Sequence, residues 1–125
     1  MTKNTFSPRL AMSLGWLSLI WIVSSIPSDE LPGIKIVSAD KLAHIAVYLV
    51  LGLLVNSWIK ELSLSRRWIN LIYAVLILLA SLDEQHQVLI RGRTVSVYDL
   101  LANCSGIALA YLGTLHNDRV SRSKR

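Results

Sequence analysis

Uncharged, apolar-rich runs alternate along this chain with short clusters of polar and charged residues. Four runs stand out: Leu10–Ile26, Leu42–Ile59, Trp68–Leu82 and Leu100–Leu115, with 17, 18, 15 and 16 residues. At about 1.5 Å of rise per residue, each falls slightly short of a hydrocarbon core of about 30 Å, so each recruits polar neighbours to complete a crossing. A soluble four-helix bundle needs a polar face recurring with the helical period, and Leu71-Ile-Tyr-Ala-Val-Leu-Ile-Leu-Leu-Ala80 offers none. The pattern predicts an all-α membrane protein of four transmembrane helices, about 10–26, 38–59, 68–87 and 97–115. They form a single domain over 1–125, with 116–125 as a basic cytoplasmic tail.

Composition agrees with lipid as the solvent. Apolar residues make up 53% of the 125, charged residues only 17%, and mean hydropathy is +0.48. The net charge of +5 does not point to nucleic acid, because the basic residues sit in the gaps and tails between apolar runs. With the N-terminus inside, nine Lys and Arg fall on the inner side (Lys3, Arg9, Lys60, Arg66, Arg67, Arg119, Arg122, Lys124, Arg125) and four outside (Lys35, Lys41, Arg91, Arg93). The acids run the other way: Asp29, Glu30, Asp40, Asp83, Glu84 and Asp99 lie outside, Glu61 and Asp118 inside. Both termini are therefore expected in the cytoplasm, with Trp58 and Trp68 anchoring the inner loop. Lys3 and Arg9 precede the first run as in a signal peptide, but that run is long and no A-x-A-like site follows, so it reads as a retained span. The single cysteine, Cys104, forms neither an internal disulfide nor a Cys-based metal site.

Polar residues then converge at the outer ends of helices two, three and four. Asp40, His44 and Tyr48 are four apart and share one helical stripe, with Lys41 beside them. Asp83, Glu84 and Gln87 follow helix three. Arg91-Gly92-Arg93 leads to Ser96, Asp99 and Asn103, the last two again on one stripe, with Gly106 beyond. Capping explains part of this: Ser38 caps helix two with Asp40 in its first turn, and Ser96 with Asp99 has the form of a capping box. Asn103 and Gly106 have a structural explanation too, as helix-to-helix glue and as a point of close approach. Asp83 and Glu84 resist such an account, because they sit at a helix C-terminus, where the dipole disfavours carboxylates, and after an uncharged lead-in of only 15 residues. A carboxylate below the lipid surface costs several kcal/mol unless it is paired or wet. Their available partners are Lys41, His44, Arg91 and Arg93. His44 beside a carboxylate has the makings of a general base. His44, Asp40 and Glu84 form at most a weak metal set, matching no signature such as H-E-x-x-H, and neither metal nor cofactor is expected.

At these residues the chain resembles the VanZ-like family of small bacterial membrane proteins. The matching blocks are D-K-L-A-H-I-A-V-Y at 40–48, D-E-Q-H-Q at 83–87 and R-G-R-T-V-S-V-Y-D-L-L-A-N-C-S-G at 91–106. The resemblance implies that Lys41, His44, Tyr48, Glu84, Gln87, Arg93, Asp99 and Asn103 form the site; Gln85 and His86 look variable, and the first helix carries no motif. It also implies a multi-pass protein of the bacterial cytoplasmic membrane. Family members are similar to a protein linked with low-level resistance to teicoplanin, a lipoglycopeptide acting on the cell envelope.

Two function classes follow. In the first, an outer-facing polar pocket binds the head group of an anionic amphiphile: a lipid, a lipid-linked wall precursor or a lipoglycopeptide. Arg91 and Arg93 would contact the anion, and Lys41, Tyr48, Asp83, Gln87, Asp99 and Asn103 would complete the pocket. In the second, an enzyme acts on such an amphiphile, with His44 as base, oriented by Asp40 or Glu84. The chain holds no G-x-S-x-G elbow for a serine nucleophile. A carrier is disfavoured by the lack of an internal repeat or broken-helix signal. Four helices barely enclose a pocket, so a homo-oligomer is compatible with the sequence, with no motif demanding one.

Overall fold

The computed structural model describes residues 6–27 and 37–124. Lys3, Asp29, Glu30, Lys35 and Arg125, which enter the charge count above, lie outside the described residues. Four helices follow in order: α1 (Pro8–Ser24), α2 (Val37–Leu62), α3 (Arg66–Gln87) and α4 (Val97–Ser123). Local sequence explains most of the ends. Ser7 caps α1, its Oγ accepting from the Arg9 amide at 3.2 Å, and Pro8 takes a first-turn position where its missing N–H costs nothing. Past α2, Ser63 adopts a left-handed conformation (φ 49°) that turns the chain into the short loop before α3. Gly92, at φ 74°, turns the loop between α3 and α4, a conformation that favours glycine. Ser96 caps α4 by accepting from the Tyr98 amide at 3.2 Å.

Two boundaries differ from expectation. Helix α2 starts at Val37, which places Ser38 within the helix, and the side chain of Ser38 lies outside the described residues. Helix α4 runs on to Ser123, and the expected basic tail from 116 is mostly its last turns. Arg66 pairs with Asp118 across the α3–α4 end, which fastens that continuation to the bundle.

Contacts between helix ends give the directions. Arg9, at the start of α1, pairs with Glu61 at the end of α2 (3.2 Å) and donates to the Ser57 carbonyl (3.2 Å). Lys41, at the start of α2, pairs with Asp99 at the start of α4. The helices therefore run up, down, up, down, with α2 and α4 parallel. Ion pairs occur at both ends of the bundle, whereas the charge pattern placed the ionisable cluster at one.

Helices α2 and α4 make the most extensive contact. A Cβ on Gly106 would overlap the Ile45 carbonyl oxygen and approach the Leu49 nitrogen at 2.8 Å, and one on Gly52 would overlap the Ala110 methyl. These glycines let the two backbones come together, as expected for Gly106. Midway along the bundle, Asn56 joins three helices: Tyr73 on α3 donates to its Oδ1, and its Nδ2 donates to the Ala110 carbonyl at 2.8 Å.

Beside an apolar core, several polar residues are buried while large aliphatic residues face outward. Asn56, Asp83, Glu84, Gln87, Asp99 and Asn103 are buried, while Ile22, Leu53, Leu78 and Leu112, on successive helices, are at least half exposed. Such a surface suits lipid far better than water. The segments Asp40–Leu62 and Arg66–Gln87 are long and apolar enough to cross a membrane; α1 is apolar but only 17 residues long. Helix α4 falls outside that class, its apolar content diluted by Asp99, Asn103 and Thr114 on the buried face. With 22 residues, α3 rises about 33 Å, long enough to hold both Arg66 and Glu84, so packing against its neighbours accounts for the burial of its acids.

Candidate functional site

The buried stripe of α3 begins apolar, at Ile69, Tyr73, Leu76 and Ala80, and turns polar at Asp83, Glu84 and Gln87. That change of character brings the acids against the first turns of α2 and α4. Tyr48, only 1% exposed, donates to Asp83 Oδ2 at 2.8 Å. Asn103, fully buried, donates through Nδ2 to Glu84 Oε1 at 3.1 Å and faces His44 Nδ1 with its Oδ1 at 2.8 Å. The carboxylate thus fixes which way the amide points. Its oxygen only accepts, so the network assigns the imidazole proton to Nδ1 and turns Nε2 toward Asp40 Oδ1, 3.8 Å away. Glu84 and His44 are therefore coupled through Asn103.

Asp99 accepts from Lys41, whose Nζ also lies 3.5 Å from Asp40 Oδ2. The capping box is half realised, since Ser96 caps the helix while the Asp99 carboxylate turns to Lys41. Two buried acceptors, Asp83 Oδ1 and Glu84 Oε2, have no hydrogen-bond partner among the described residues.

A cavity of about 220 Å³ opens beside this network. Its polar wall comprises Asp40, His44, Tyr48, Asp83, Gln87 and Arg93; its apolar wall is Trp16, Leu19, Ile20 and Val23 of α1 with Val47 of α2. Six of the expected site residues thus share one cavity. Glu84 and Asn103 stand behind His44, and Lys41 and Asp99 form an ion pair beside it, so these four do not line the cavity.

Arg93 departs most from expectation. Its Nε and Nη2 donate to the Ile26 and Val23 carbonyls, at 3.1 and 2.9 Å, closing the C-terminus of α1. It is a rim residue that ties the α3–α4 loop to α1, and it pairs with none of the acids among the described contacts. Arg91 is exposed and absent from the lining. Helix α1, which carries no motif, supplies most of the apolar wall; only its lack of charge signalled this. His86 likewise fastens α3 to α1, stacking on Trp21 with ring centroids 5.2 Å apart and meeting Ser25 Oγ at 2.9 Å. For a metal, the donor atoms brought together are those of Asp40, His44 and Asp99, within 4.8 Å of one another; Asp99 takes the place expected for Glu84.

The family model described as VanZ/LLP1 matches residues 4–116, nearly the whole chain, and all three polar blocks fall inside it. No curated protein and no solved structure matches significantly. A match of that extent over residues that fold into one polar site shows that the chain belongs to the VanZ/LLP1 family.

Proposed function

We propose that this chain is a four-span protein of the bacterial cytoplasmic membrane, both termini inside, that binds the head group of an envelope amphiphile in the α1–α2–α3 cavity. The division of the cavity wall carries this reading. An apolar side built from Trp16, Leu19, Ile20 and Val23 faces a polar side built from Asp40, His44, Tyr48, Asp83 and Gln87, and an amphiphile has the same two sides. Gln87 offers a donor to an anion, and Asp40 and Asp83 offer acceptors to hydroxyl and amide groups. A lipid-linked wall precursor or a lipoglycopeptide such as teicoplanin presents both kinds of group.

One observation favours a second reading, catalysis. The His44–Asn103–Glu84 line fixes, through Nδ1, an imidazole that lines the cavity, and an oriented imidazole is what a general base requires. Mass spectrometry of lipids from membranes carrying wild-type protein or His44→Ala separates the two. Binding predicts the same lipid species in both strains. A species that accumulates only with His44→Ala, matched by loss of its product, contradicts binding alone and establishes turnover.

A further inference from the structure

We propose that Asp40, His44 and Asp99 form a binding site for a divalent transition ion, of the zinc or manganese class, at the mouth of the cavity. The donors come from two helices. Asp40 and His44 lie one turn apart on α2, and Asp99 stands in the first turn of the parallel helix α4. Their ligand atoms lie within 4.8 Å of one another, and side-chain rotation that draws them inward by up to about 1 Å gives bonds of about 2.0–2.2 Å.

The imidazole is already arranged for this work. A metal-bound histidine typically donates its other ring N–H to an acceptor held by a further group. Here Nδ1 donates to Asn103, Asn103 is fixed by Glu84, and Nε2 faces a carboxylate oxygen at 3.8 Å. Nε2 and the Asp40 oxygen are both able to ligate a cation placed between them.

Charge points the same way. Asp40, Asp83, Glu84 and Asp99 meet at this end of the bundle, and Arg93 is committed to backbone carbonyls of α1. Asp83, 2% exposed and in the wall shared with Asp40 and His44, keeps Oδ1 without a partner among the described residues. Lys41 stands between Asp99 and Asp40, the position of a bridging cation. Its long stem lets the ammonium swing aside when an ion enters. One imidazole with two carboxylates selects zinc or manganese over calcium or magnesium, which prefer all-oxygen sites. Three protein donors leave a coordination position open, and an oxygen of an anionic head group would occupy it. That last step rests on the amphiphile reading; the metal site does not.

Calorimetric titration of detergent-purified, full-length protein with Zn²⁺ and Mn²⁺, without added amphiphile, tests the site. The expected result is one saturable ion per chain, weakened at least about tenfold by His44→Ala and by Asn103→Ala, the latter through loss of histidine orientation. Lys41→Met should bind more tightly than wild type, because it removes the competing cation. That sign is opposite to the loss expected of a variant that merely misfolds. Absence of a saturable site, or binding unchanged in His44→Ala, would overturn the proposal and leave the amphiphile reading standing.

Discussion

At the scale of single residues, two hydrogen bonds decide whether the buried carboxylates are tolerated. Tyr48 holds Asp83, and Asn103 holds Glu84 while orienting His44. Tyr48→Phe keeps the ring but leaves both oxygens of Asp83 unpartnered among the described residues, and Asn103→Leu strands Glu84 and His44 together. Expected losses are about 1–3 kcal/mol for Tyr48→Phe and more for Asn103→Leu, read by thermal or denaturant unfolding in detergent. Unchanged stability in both would show that the polar line is not structural. Much of this line was legible in the chain: positions 40, 44 and 48 announce one stripe, as do 99 and 103. The connections were not. Asn103 read either as helix-to-helix glue or as a pocket residue, and it joins His44 to Glu84. Arg93 read as a partner for anions, and its actual partners are main-chain carbonyls, which have no sequence signature.

At the scale of elements, the α2–α4 contact sets the geometry of the site, because it places Asp99 and Asn103 against Lys41 and His44. Gly106 permits it, since any Cβ there meets the α2 backbone at Ile45 and Leu49. Gly106→Ala should therefore cost about 1–3 kcal/mol through overpacking. Gly113→Ala, whose Cβ would meet nothing nearer than Asn56 Nδ2 at 3.9 Å, should be neutral or stabilise by up to about 1 kcal/mol from helix propensity. The two variants compared in one unfolding assay check the register of the pair, and equal effects would contradict it. The existence of all four helices was legible in the run lengths, but their ends depended on tertiary partners. Helix α4 outlasts its apolar run because Asp118 finds Arg66, and α3 carries its acids into the bundle because α2 and α4 offer Tyr48 and Asn103 to meet them.

At the scale of the whole molecule, the chain turns many large aliphatic residues outward and gathers Asp83, Glu84, Gln87, Asp99, Asn103 and His44 within one end. Helix α1 completes that end, supplying an apolar wall that its motif-free sequence gave no reason to assign. Under the proposed function, the cavity between this wall and the polar stripe of α2 and α3 holds an amphiphile. Native mass spectrometry of protein extracted in mild detergent tests it most directly, comparing wild type with Ala43→Trp, a substitution that fills the cavity from its α2 side and leaves every polar residue in place. The expected result is a bound amphiphile on the wild-type protein, lost from Ala43→Trp while the protein stays folded. Wild-type protein with no bound amphiphile, or equal occupancy in the two, would contradict it.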